Sequence, residues 1–113
     1  MQRHTLIGQH ILQGAPALAS AALLVRSSHE HWDGNGYPDQ LAGTDIPLGA
    51  RIILACDAYD AMTSDRAYRR AMSPQAALAE VVRCAGSQFD PRIVHALQTV
   101  LQASDARRIA VAA

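Results

Sequence analysis

Ser28-His29-Glu30-His31-Trp32-Asp33-Gly34-Asn35-Gly36-Tyr37-Pro38 is the stretch whose reading decides the fold. Upstream of it, residues 15–25 are mostly apolar helix formers, and a second apolar run begins after Pro47. Within the quoted stretch lie two histidines, two acidic residues, the single tryptophan and two glycines. Asp33-Gly34 and Asn35-Gly36 are turn dipeptides that admit positive φ, and Pro38 fixes a further bend. Neither flanking helix can continue through such a segment. The pattern predicts a helix over residues 16–30, with His29 and Glu30 at its C-terminal end. A loop over 31–46 then presents Tyr37.

Four more helices are predicted to either side. Leu6, Ile7 and Ile11 have helical spacing, and Gly14 stops that helix. Over 48–63, Leu48, Ile52, Cys56, Tyr59 and Met62 form an apolar stripe widened by Ile53 and Ala55, with Asp57 and Asp60 one turn apart on its flank. Ser73-Pro74 is an N-cap followed by proline at the first helical position, opening a helix that ends before Gly86. Asp90-Pro91 repeats the signal for a last helix with Ile93, Val94, Leu97, Val100 and Leu101. Beyond residue 103 the periodicity decays. The reading is all-α: one domain over 1–103, about five helices and one long loop, with a loose tail over 104–113.

Half of the residues are apolar, enough for a core, and the ten basic and ten acidic side chains cancel. That balance excludes a duplex-binding surface, so DNA is not an expected partner. The apolar run over 15–25 is too short to span a bilayer, and no signal-peptide pattern precedes it. Cys56 and Cys84 sit among apolar helical residues and read as reduced core thiols, in keeping with a cytoplasmic protein.

Three separate segments offer metal-ligating side chains: His4, His29 and Asp57. Imidazole with carboxylate suits iron, manganese or zinc better than calcium. Each has a plainer reading as well. His4 fits a solvent-exposed position, and His29 fits a cation favoured at a helix C-terminus. Asp57 lies between residues of buried type, where an unpaired carboxylate is costly, so it calls for a metal or a nearby arginine. After the third helix, Arg66, Arg69 and Arg70 flank Tyr68. Guanidinium groups there can grip phosphate in pairs, or serve as a solvated connector pairing with Asp65.

The run from His29 to Pro38 resembles the signature of the HD-GYP family. The likeness continues through Leu41-Ala42-Gly43, Ile46-Pro47, Ala50-Arg51-Ile52, the segment from Asp57 to Arg69, Ala85-Gly86 and Phe89-Asp90-Pro91. The resemblance implies an HD-type helical bundle that hydrolyses cyclic di-GMP to linear pGpG, and sometimes to GMP, with divalent iron, manganese or similar ions. It implies His4, His29 and Asp57 as metal ligands, Tyr37 beside the substrate, and Arg66 and Arg69 near its phosphates and bases. Two departures bear on this. Ser28 stands where the family pairs a second histidine with His29. The His-Asp motif that names the family, with the lysine after it, belongs upstream of His4. The chain is therefore expected to be the C-terminal portion of such a domain and to be inactive alone. The alternative is a non-catalytic module that binds the nucleotide, or a diguanylate cyclase partner, through the Gly-Tyr-Pro loop. A dimer is left open.

Overall fold

A computed structural model describes residues 2–14 and 18–112. Its helices are α1 (Gln2–Gln13), α2 (Ala19–Ser27), α3 (Leu48–Met62), α4 (Pro74–Arg83) and α5 (Pro91–Ala112), with a 3-10 turn at Gly43–Asp45. Among the described residues there is no strand, so the fold is all-α as the periodicity predicts. No described helix is long and apolar enough to cross a membrane.

The helix starts follow from local chemistry. The Ser73 side chain accepts from the Ala76 N–H at 3.1 Å, with Pro74 just inside α4. At α5, Asp90 Oδ1 accepts from the Arg92 N–H at 2.9 Å. Pro16, expected in the first turn of α2, lies outside the described residues.

Three expectations change. First, α2 stops at Ser27 rather than at residue 30, so His29 and Glu30 lie in the turn beyond it. The Ser28 hydroxyl turns back to the Val25 carbonyl at 2.9 Å, and the His29 carbonyl accepts from the Tyr37 N–H at 3.2 Å. The loop takes up groups that a longer helix would have used. Second, α5 continues to Ala112, so the expected loose tail is helical to that point. No proline or glycine interrupts the chain after Pro91, and alanine sustains the helix after the apolar pattern fades. Third, α3 turns only part of the predicted stripe inward: Ala55 is buried and Tyr59 and Met62 pack against the core as expected. Ala50, Leu54 and Ala55 are buried, whereas Leu48, Ile52 and Cys56 are exposed. With apolar residues on nearly every side of α3, periodicity does not choose the inward face; the small Ala50 and Ala55 side chains allow close packing there.

The core joins three helices: Leu54 and Ala55 of α3, Val81 of α4, Val94 of α5, and Phe89 from the connector between α4 and α5. At its edge, Arg51 reaches from α3 to Asp90, Nη1 to Oδ2 at 2.7 Å, and its Nε donates to the Ile46 carbonyl at 2.9 Å. Burial by itself raises the Asp90 carboxyl pKa. The hydrogen bonds from Arg51 and from the Arg92 N–H outweigh it, and the net direction is downward.

A depressed carboxyl pKa gives stability that is present above the unfolded value, about 3.9, and is lost as pH falls through the folded one. Unfolding monitored between pH 7 and pH 2 should therefore show stability falling below about pH 4, with a smaller fall in Asp90→Asn. Arg51→Met strands a carboxylate whose side chain is 1% exposed. It should lower stability by about 3–5 kcal/mol in chemical denaturation. A loss under about 1 kcal/mol would show that the pair is not a structural anchor.

Candidate metal centre

The loop after α2 is built around a buried carboxyl group. Glu30, 1% exposed, accepts from the Asp39 N–H at 2.6 Å and from the Leu41 N–H at 3.1 Å. Both ends of the carboxyl are used by backbone, so the return limb of the loop is drawn onto the turn that starts it. Gly36 makes the closest approach. A Cβ there would overlap His31 N and come within 2.5 Å of the His29 carbonyl oxygen and 2.7 Å of the Glu30 Cα. Only hydrogen fits.

The other side of the loop is tied down as well. Trp32 N donates to the Gln88 carbonyl at 3.1 Å, and Asp33 N to the Ser87 carbonyl at 2.8 Å. Gly43 N returns to the Trp32 carbonyl at 2.9 Å, and the Arg51 guanidinium lies 6.0 Å from the Trp32 ring centroid. Gly34 takes φ +86°, as its place in the turn requires.

This frame brings three predicted side chains together. His4 of α1 and His29 place their Nε2 atoms 2.9 Å apart, with ring centroids 4.7 Å apart and the planes at 78°. The Tyr37 ring stacks on His29 at 5.2 Å and 14°. Burial, then the neighbouring His4, pulls the His29 pKa below the usual imidazole value, against the opposing charge of Asp57. His29 is thus neutral at pH 7, the form in which imidazole ligates metals.

Asp57 stands on α3, where its charge acts on His29, but its side chain is exposed rather than buried. Among the described residues, no group of three His, Cys, Asp or Glu side chains is placed to hold a metal ion. Arg66 and Arg69 pair through their backbones, N to O at 2.9 and 3.3 Å, and turn an exposed tip at Ala67 and Tyr68. Arg69 Nη2 also donates to the Ala61 carbonyl at 3.2 Å near the end of α3. It lines a cavity of about 270 Å³ with Met62, Glu80, Cys84, Gln88 and Phe89. Asp65 accepts from the Ala71 N–H at 2.7 Å instead of pairing with an arginine. Cys56, expected in the core, is exposed; Cys84 is half-buried at the core's edge.

Sequence reasoning missed Glu30, whose acceptor role is set by backbone donors nine and eleven residues away. It also missed the ion pair of Arg26 and Asp39, at 2.8 Å. Neither has a periodic signal. The only hint was an acidic residue inside a turn-rich run.

A family profile described as HD domain matches residues 1–93. The cyclic di-GMP phosphodiesterase response regulator RpfG of Xanthomonas campestris is 44% identical over 99 residues, which are 86% of this chain and 26% of that protein. The 3'3'-cGAMP-specific phosphodiesterase 2 of Vibrio cholerae is 33% identical over 99 residues, 86% of this chain and 19% of that protein. Among solved structures, the cyclic GMP-AMP specific phosphodiesterase V-cGAP3 of Vibrio cholerae superposes with a TM-score of 0.66 at 31% identity. The match covers 74% of this chain and 19% of that one. The chain thus spans about a quarter of the length of the first of these relatives.

Gly36→Ala tests the loop. The added methyl meets backbone on three sides, so the turn has to open. A loss of about 1–3 kcal/mol is expected in denaturant unfolding. Nuclear magnetic resonance should also show the Tyr37 ring leaving His29. A variant as stable as the parent, with that ring contact intact, would mean that the close approach is not required.

Proposed function

The chain belongs to the HD-domain family, and on that premise we propose that it forms the His4, His29 and Gly-Tyr-Pro part of an HD-GYP-type, metal-dependent phosphodiesterase for cyclic di-GMP. The observation that carries this reading is the close approach of His4 and His29, with Tyr37 stacked against the pair.

The donor set suits a divalent ion. The histidine nitrogens stand 2.9 Å apart. Imidazole together with the Asp57 carboxylate fits iron or manganese, with His4, His29 and Asp57 as the residues that would hold it. When bound, such an ion supplies an acidified water and offsets charge on the phosphate.

The chain's own residues have distinct tasks in this reading. His4 and His29 converge from α1 and from the turn after α2, so their Nε2 atoms are placed to serve one ion. The Tyr37 ring fixes the plane of His29 and closes one side of the site to water. Arg66 and Arg69 stand on the connector that follows α3, with Arg69 anchored through the Ala61 carbonyl. They are suited to paired hydrogen bonds with phosphate oxygens. Hydrolysis adds water across one phosphodiester: the bond from phosphorus to the ribose 3′ oxygen breaks, that oxygen takes a proton, and linear pGpG is left. The unpaired cysteines accord with a reducing compartment, the cytoplasm.

The test is binding and turnover of cyclic di-GMP with manganese or iron supplied, for the parent and for His29→Ala, Arg66→Ala and Arg69→Ala. This chain alone is expected to turn over cyclic di-GMP poorly or not at all, and His29→Ala should weaken its binding of manganese or iron. Each arginine variant removes a charge-assisted hydrogen bond worth about 1.5–3 kcal/mol, so nucleotide affinity should weaken roughly ten- to a hundredfold. Nucleotide bound with unchanged affinity by both arginine variants would refute their assignment. Binding without turnover in the full-length protein would favour the non-catalytic module instead.

A further inference from the structure

The described ion pairs differ in kind. Arg83 pairs with Glu80 along one face of α4, and Arg51 with Asp90 beside the core. Arg26 pairs with Asp39 at the rim of the histidine site and touches a third element. Its Nε and Nη2 each donate to one Asp39 carboxylate oxygen, both at 2.8 Å, and its Nη1 donates to Gln9 Oε1 at 2.9 Å. One planar group thus joins the end of α2, the middle of α1 and the return limb of the loop. Each contact is close in sequence to a site residue. Gln9 lies five positions after His4, Arg26 three before His29, and Asp39 two after Tyr37.

Stability alone is a poor account of this arrangement, because the two side chains are 32% and 35% exposed. A pair so open to water contributes little to folding. What a bidentate guanidinium supplies is direction: two parallel hydrogen bonds fix both distance and plane. The position fixed matters here. Asp39 also gives its N–H to Glu30, so the Arg26 fork and the Glu30 carboxyl grip one residue from two sides. On α1, Gln9 is held on the same helix as His4, beside the tight seat of Gly8 against Val25.

We propose that Arg26 is a positioning residue for the site: its fork on Asp39 and its hold on Gln9 keep His4 facing His29 and seat the Tyr37 ring on the His29 imidazole. This deepens the proposed function and rests on that reading for its metal readout alone. The ring contact is independent of it.

The experiment compares the parent chain with Arg26→Gln, which loses the fork and the charge, and Arg26→Lys, which keeps the charge and loses the fork. Nuclear magnetic resonance follows the contact between the Tyr37 and His29 rings, circular dichroism follows the fold, and calorimetry measures Zn²⁺ alone. Both variants should remain helical with melting temperatures near the parent's, and both should lose the ring contact. Zn²⁺ should bind about tenfold more weakly to them, the lower end of what supporting partners of metal ligands contribute. An unchanged ring contact in folded Arg26→Lys overturns the proposal. So does global unfolding of both variants, which would make Arg26 a structural residue. A parent chain that binds no Zn²⁺ refutes the metal reading of the histidine pair, and the ring contact then decides the role of Arg26.

Discussion

Arg51 holds together the pieces that would otherwise be separate. It starts on α3, caps the end of the long loop through the Ile46 carbonyl, meets Asp90 at the start of α5, and lies over Trp32 at the start of the loop. A guanidinium has donors enough to serve these partners from one plane, and its face is left for the indole. Asp90 in turn divides its oxygens, one to Arg51 and one to the first turn of α5. The helical core and the loop are therefore not independent bodies. Removing this cation would unseat the beginning of the loop, its end and the entry to α5 together.

Two carboxyl groups are buried within this frame, and they are satisfied in opposite ways. Asp90 has a full ionic partner beside it, together with a backbone N–H. Glu30 is met by two backbone N–H groups from the loop it organises. The first solution links elements distant in sequence and depends on charge. The second shapes a local turn and depends on direction.

Much of the fold was legible because its punctuation is local. Ser73-Pro74 and Asp90-Pro91 announce helices through hydrogen bonds made within a few residues. Gly86 takes φ +88°, as the stop after α4 requires. The inward face of α3 was legible only in part: Ala55, Tyr59 and Met62 meet the core, but Ile52 and Cys56 are as apolar as the residues that are buried, and only the neighbouring helices decide between them. The end of α2 was misplaced because partners for its last residues come from the far limb of the loop. In the site, His4, His29 and Tyr37 were read from residue type and resemblance, and they meet in space. Glu30 and Arg26 act through atoms nine to thirteen residues away or on another helix, so no local pattern names them.

Two of the irregular segments differ in what they can tolerate. The long loop is fastened to the α4–α5 connector through Trp32 and Asp33, and folded on itself through Glu30 and Gly36. It is interior architecture in all but secondary structure. The turn between Arg66 and Arg69 is closed by its own backbone and carries Tyr68, 82% exposed, at its tip. Extra residues inserted there would extend into solvent from a closed neck, whereas the same residues added between Trp32 and Leu41 would have to displace packed backbone. For grafting a reporter or an affinity handle, the natural port is between Ala67 and Tyr68.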